Sequence, residues 1–150
     1  MKNRVAEHTP PSINARIRRR IDVSVTYYAK HPDRIDTRLR ELDNEWDIER
    51  LLEANAASLM LYGLLFGLVG RRYYLLLLPL VVAGFLLQHA IQGWCPPIVV
   101  FRRLGVRTKD EILLERYALR AIHGDLDPIF NNREREPSEK VGDVLNALEK

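Results

Sequence analysis

The chain has 150 residues, 47% of them hydrophobic and 29% charged, with a formal net charge of +3. Those averages suit an ordinary one-domain protein, yet from Ala54 to Phe101 the only charged side chains are Arg71 and Arg72. A single cysteine excludes an internal disulfide framework and a multi-cysteine zinc site, and no cleavable leader is expected in "MKNRVAEHTPP" or lipidation signal in "NALEK".

In chain order, the first expected element is a helix from Ser12, its N-cap, to Ala29, with Ile13, Ile17, Ile21, Val25 and Tyr28 along one side. Its other faces carry Arg16, Arg18, Arg19 and Arg20, a pattern suited to an anionic membrane surface, where each arginine adds about 1 kcal/mol. Four arginines without a recognition module are a weak nucleic-acid footprint, so no nucleic-acid partner is expected. A second helix starts at Pro32 and Asp33, with Ile35, Leu39, Leu42 and Trp46 on one side. Neither glycine nor proline interrupts Asp33 to Tyr62, which predicts an unbroken helix running into the apolar block. From Asp33 to Glu53 acidic residues outnumber basic ones by eight to four. Folding of this acidic helix against the basic one therefore competes with the membrane surface.

The apolar block holds two runs, Ala54 to Gly70 and Tyr73 to Gln92. At ~1.5 Å per residue they extend roughly 25 and 30 Å, against a hydrocarbon core of about 30 Å. One continuous helix would place Arg71 and Arg72 near the bilayer centre at about 2.5–3.5 kcal/mol each. The chain is therefore expected to turn there, with Gly70 in the left-handed position and the two helices antiparallel. A buried hairpin in a soluble protein is the alternative, but "LLLLPLVVAGFLL" offers water no polar face. Arg34, Arg38, Arg40 and Arg50 before the hairpin, with Arg102, Arg103, Arg107 and Lys109 after it, outnumber the arginine pair in the turn. Both termini are then expected in the cytoplasm.

Small and polar residues must hold such helices together. Gly63 and Gly67 form a GxxxG step that permits close approach to the second helix or to another copy. Asn55, Ser58 and Tyr62 are predicted to meet a stripe of Gly84, Gln88 and Gln92, each hydrogen bond being worth ~0.6–2 kcal/mol. The other reading of Asn55, Gln88 and Gln92 is the lining of a small polar passage. Pro79 is expected to kink the second helix.

The block ends in "GWCPP". Gly93 can cap the second helix and Trp94 suits the headgroup level. Pro96 and Pro97 are expected to forbid helix and hold Cys95 extended. "IVVF" then lies along the interface before Arg102 and Arg103 return the chain to water. The motif explains a helix stop without using its sulfur. His89, six residues before Cys95, can bring an imidazole near the thiol, a pairing suited to a soft metal or haem, or to sulfur or redox transfer. One histidine and one cysteine are too few for a metal site, so no metal or cofactor is expected.

Beyond the block, "TKDE" at Thr108 to Glu111 is a capping box for a helix with Ile112, Leu119 and Ile122 on its apolar side, ended by Gly124. "GDLDP" reads as a loop stop, since no complete calcium-loop spacing accompanies Asp125 and Asp127. "NNREREPSEK" reads as a polar linker, and Val141, Val144, Leu145 and Leu148 mark a short final helix.

Two short membrane helices followed by glycine, an aromatic, cysteine and proline resemble the YgaP-like inner-membrane domain, a bacterial family of unknown function. The likeness covers Ala54 to Phe101, with "GWCP" as its most specific element, and "RRLGVRTKDEILLERYALRAIHGDL" is similar to extended members. In the protein that names the family, this domain anchors a rhodanese sulfurtransferase. This chain lacks the alternating strands and helices and the second cysteine-bearing loop of that enzyme. The resemblance thus implies a membrane topology and the bacterial inner membrane and slightly favours thiol chemistry, but carries no activity across.

The expected fold is all-α: a transmembrane hairpin at 54–101, between a cytoplasmic helical segment at 1–53 and cytoplasmic helices with a linker at 102–150. The expected function is a non-enzymatic membrane anchor, assembly protein or accessory subunit, whose partners are the lipid bilayer and either itself or another membrane protein. Thiol or sulfur handling at Cys95, helped by His89, is the second hypothesis. Passage of a small solute through an oligomer is the third.

Overall fold

In the computed structural model, which describes residues 4–124, every regular element is helical and no strand occurs among the described residues. Asp125, Asp127, the polar linker and the expected helix with Val141, Val144, Leu145 and Leu148 lie outside them. The described residues fall into two units, 4–19 with 46–112 and 20–45 with 113–124.

A four-residue turn of helix, α1 (Arg4–Glu7), precedes α2 (Pro11–Ala29). α2 begins at Pro11 rather than behind a Ser12 cap: Pro10 supplies the carbonyl for Ile13 and Asn14 at 2.9 and 3.2 Å, and a proline in the first helical position gives up an N–H that would be unpaired anyway. Ile17 and Ile21 are 1% and 3% exposed, with Ile13, Val25 and Tyr28 half-buried. The apolar stripe is covered by protein, the packing that competed in the sequence with a lipid surface. Arg16, Arg18, Arg19 and Arg20 are exposed.

The unit of 20–45 and 113–124 buries Ile21, Ile35, Leu42 and Leu119. It contains a short 3-10 turn (Pro32–Arg34), α3 (Ile35–Asn44) and most of α7 (Lys109–His123). Its joint is Glu115 of α7, which is 0% exposed and accepts hydrogen bonds from Ser24 Oγ at 2.6 Å and Arg38 Nε at 3.0 Å. Burial alone would lower the pKa of Arg38, but its bonds to Glu115 and Glu41 prevail and raise it. Ile122, expected on the inner side of α7, is exposed.

The predicted continuous helix from Asp33 to Tyr62 is broken at residues 45–47. Asp47 is extended and caps α4 (Ile48–Leu64), accepting from the backbone N–H of Arg50 at 2.7 Å. An aspartate before an apolar run favours this cap over helix continuation. A second bond, from Ile48 N to the Arg107 carbonyl at 2.9 Å, fixes the new start. Trp46 lies in the break, exposed, with the Arg50 guanidinium 4.5 Å above its ring.

α4 widens into a π-helical turn (Leu65–Val69) before the chain reverses. Gly70 is not left-handed: its φ is −75°, and Arg71 takes the positive value of 53° instead. Gly70 is required for space, because a Cβ there would lie 2.5 Å from the Phe66 carbonyl oxygen. A 3-10 turn (Tyr73–Leu76) then leads into α5 (Leu77–Gln92). Pro79 sits in the first turn of α5, where its missing N–H is tolerated, and not at a mid-helix kink.

Two stretches are long and apolar enough to cross a bilayer, one ending at Val69 and one spanning Tyr73–Gln92, with mean hydropathies of 1.5 and 2.0. Only 22% and 6% of their most apolar windows are buried, which excludes a hairpin hidden in a water-soluble core. Val69, Leu80, Leu87 and Ile91 are 81%, 68%, 63% and 69% exposed. A continuous apolar surface of this kind is lipid-facing.

Candidate functional site: the hairpin seam and the GWCPP joint

Small residues form the contact between α4 and the segment from Tyr73 to Gln92. A Cβ at Gly63 would lie 2.5 Å from Pro79 Cδ and 3.0 Å from the Leu75 carbonyl oxygen, and one at Gly67 would lie 2.6 Å from Leu76 Cδ2. The GxxxG step is therefore occupied within the chain and is not an open surface for another copy. Ala56 and Val82 are buried on the same two helices.

The predicted polar stripes do not meet. Asn55, Ser58, Tyr62, Gly84 and Gln92 are exposed and Gln88 is half-buried, and a Cβ added at Gly84 would touch nothing within 4 Å. Ser58 Oγ donates to Ala54 O of its own helix at 2.7 Å, and Gln88 Nε2 donates to Gln92 Oε1 at 3.5 Å. The seam instead uses the faces that allow backbones to approach, since dense packing is the main attraction between helices in lipid. Arg71, Arg72, Tyr73 and Tyr74 are exposed at the turn, where aromatic and basic side chains suit the headgroup level.

At the open end of the hairpin, Gly93 has φ 71° and its N–H bonds to the His89 carbonyl at 2.7 Å, ending α5 as predicted. Its missing side chain also serves packing, because a Cβ there would meet Arg4 Cβ at 2.7 Å. Trp94 is half-buried, its ring centroid 6.4 Å from that of His8. Cys95 is extended, as expected, at φ −153° and ψ 158°. The prolines after it do not forbid helix. They occupy the first two positions of α6 (Pro96–Leu104), where their fixed φ is helical and no N–H partner is needed.

Cys95 is 0% exposed and clusters with Val5, Ile48, Leu52 and Ile98, against which Leu86, Phe101 and Val106 pack. Burial pushes its thiol pKa up, the opposite of what a reactive thiolate needs. The Nδ1 of His89 is buried without a hydrogen-bond partner.

Arg102 was assigned by sequence to the membrane interface, returning the chain to water. It is 0% exposed, and its guanidinium donates five hydrogen bonds: Nε to Thr9 Oγ1 at 3.2 Å, Nη1 to Val106 O at 3.1 Å and Glu111 Oε2 at 2.6 Å, and Nη2 to Asn14 Oδ1 at 2.7 Å and Glu111 Oε1 at 2.8 Å. The fork–fork pairing with Glu111 uses the planar geometry that only arginine provides. Arg103, its neighbour, is exposed, and its carbonyl accepts from Arg16 Nη2 at 2.8 Å.

The same carboxylate completes the predicted capping box. Thr108 N donates to Glu111 Oε2 at 2.8 Å, and Glu111 N donates to Thr108 Oγ1 at 3.3 Å. Burial alone would raise the pKa of Glu111, but bonds from Arg102 and Thr108 outweigh it and hold the carboxyl below its ordinary value. Thr9 and Asn14 carry the network into the N-terminal arm: Thr9 Oγ1 donates to Val5 O at 2.7 Å and Asn14 Nδ2 to Ala6 O at 2.8 Å. The arm's part in the joint was not anticipated from its sequence, where Val5 is an isolated apolar residue between polar ones. Thr108 and Glu111 were the available signal, since their spacing identifies a carboxylate held in place.

A lipid-facing antiparallel hairpin sealed by glycines and closed at its open end by a buried polar joint defines a small α-helical integral membrane protein. Residues 42–111 match the family model described as inner membrane protein YgaP-like, transmembrane domain, a match that supports a place in the bacterial inner membrane. The match ends on Glu111, the carboxylate that grips Arg102. No curated protein and no solved structure matches the chain.

Proposed function

We propose that the chain is a non-enzymatic membrane anchor or assembly protein that works through helix–helix contacts in the bilayer. The observation that carries this reading is the joint around Cys95 and Arg102. The side chains with the most chemical potential near the membrane, a thiol and a guanidinium, are both fully buried and spent on holding the hairpin to its flanking segments. Such a construction suits attachment.

The partner surface is the outside of the hairpin. Because the GxxxG step is filled from within, association with a second copy or another membrane protein falls to the exposed residues. Gly84 offers an open notch there, and exposed Asn55 and Gln92, with half-buried Gln88, offer amide donors and acceptors. A polar passage built from these three amides would likewise have to form between copies. Both ends of the antiparallel hairpin face one side of the bilayer, and the arginine count supports the cytoplasm for them.

Purification in native lipid, with chemical crosslinking before extraction, tests the reading. A defined oligomer or stoichiometric partner, lost in Gly84→Leu or Gln88→Leu, is expected. A monomer without partner, whose Cys95 reacts with thiol reagents faster than a peptide thiol and slows in His89→Ala, would replace it with the sulfur-handling hypothesis.

A further inference from the structure

α6 departs from the pattern of a helix on a water-exposed surface at Arg102, Val100 and Leu104. Such a helix turns aliphatic side chains inward and charges outward. Here Ile98 and Arg102, four residues apart, point inward at 2% and 0% exposure. On the opposite side, at the same spacing, run Pro96, Val100 and Leu104, all exposed, the last two at 56% and 74%. Pro97 and Phe101 flank this stripe and are half-buried. The Arg102 guanidinium is inside beside Ile98, and the side chains of Val100 and Leu104 are outside.

We propose that this outer face of α6 is a lipid contact, with the helix lying in the headgroup boundary at the open end of the hairpin. Continuity supports this occupant. Only Gly93, Trp94 and Cys95 separate α6 from α5, whose last turns expose Leu87 and Ile91 to lipid. With nine residues, α6 is about 13 Å long and cannot span the hydrocarbon. It can lie flat, its apolar face reaching roughly 5–10 Å into the headgroup and acyl boundary. Arg103, on the flank, is the exposed charge of this helix and extends towards headgroup phosphates.

This placement gives the Arg102 cluster a physical reason. A guanidinium directly beneath a lipid-contacting helix is shielded from water, and unpaired donors there are costly. All five of its N–H groups are accordingly used. The inference depends on the hairpin crossing the membrane and is independent of any association between copies.

Spin labelling of the full chain tests it. On a Cys95→Ser background, nitroxides are attached at Val100→Cys or Leu104→Cys, and the protein is reconstituted in phosphatidylethanolamine–phosphatidylglycerol vesicles. Collisions with oxygen, which concentrates in lipid, are compared with those of a water-soluble nickel chelate. Labels at Leu87→Cys and Asp110→Cys give the lipid and water references. The oxygen-to-chelate ratio at 100 and 104 is expected to approach that at 87 and to exceed that at 110 several-fold. A ratio equal to that at 110, or shielding from both reagents as under a covering protein, overturns the proposal. Because Cys95 is buried, Leu104→Trp with the native cysteine provides a second reading. Lipids brominated along the acyl chain should quench its added fluorescence, and absence of quenching counts against the lipid contact.

Discussion

The two ends of the hairpin solve the problem of ending a membrane helix in opposite ways. At the turn, the solution is local: the π-helical turn, the crowded Gly70 and a positive φ at Arg71 reverse the chain within a few residues, and Arg71 to Tyr74 remain exposed. At the open end it is assembled from distant sequence. Arg4 packs on Gly93, Val5 on Cys95, and Thr9 and Asn14 bind Arg102. The contrast teaches that one end is held by backbone geometry and the other by long-range polar packing, so they should fail under different insults.

Removal of the central guanidinium should separate the ends most clearly. Arg102→Ala leaves Glu111 inside the joint without its partner, and breaking a buried pair in this way costs about 3–5 kcal/mol. Thermal unfolding in mild detergent should register that loss, with proteolysis of the N-terminal arm rising in parallel. A loss below about 1 kcal/mol would place the pair among solvent-screened ones. Next in size, Gly63→Leu drives a side chain into Pro79 and should cost about 1–3 kcal/mol by overpacking. Unchanged stability with altered crosslinking between copies would move the seam from within the chain to between chains.

Acid should loosen only the open end. The pKa of Glu111 is depressed below its ordinary 4.5 in the folded protein. Its contribution is therefore complete above that value and is lost as pH falls through the lower, folded value. Hydrogen exchange at residues 102–111 should stay flat from neutral pH to about 4.5, after allowance for the intrinsic rate, and accelerate below, whereas Glu111→Gln should lack the acid-dependent step. The smallest effect is expected at the turn. Arg71→Gly relieves a left-handed residue at about 1–2 kcal/mol but adds freedom to the unfolded chain, for a net gain of about 0.5 kcal/mol in the same unfolding assay.

Legibility in the sequence follows the same division. The two spans, the reversal at the arginine pair, the Gly93 cap and the Thr108–Glu111 box were readable because each depends on neighbours within a few residues. The break at Asp47 carries no glycine or proline signal and rests on the capping preference of an aspartate before an apolar run. The glycine half of the seam was legible in the GxxxG step at Gly63 and Gly67, whereas the polar stripes were misplaced because periodicity alone drew them together. The burial of Arg102 was only half signalled: Glu111 lies nine residues on in a legible capping box, but Thr9 and Asn14 lie 93 and 88 residues away in an arm with almost no hydrophobic signal. Cys95 was legible as a helix stop, but the cluster that buries its sulfur required the fold.

Accessibility of the two sides of the membrane tests the account most directly. With single cysteines placed at exposed Lys109 and at exposed Arg71, on a Cys95→Ser background, a membrane-impermeant maleimide applied to intact spheroplasts and to inverted vesicles should label the two positions from opposite sides. A cysteine at exposed Glu49 should follow position 109. Labelling of positions 49 and 109 from different sides, or recovery of the protein in the soluble fraction, would contradict a hairpin that enters and leaves the bilayer at one face.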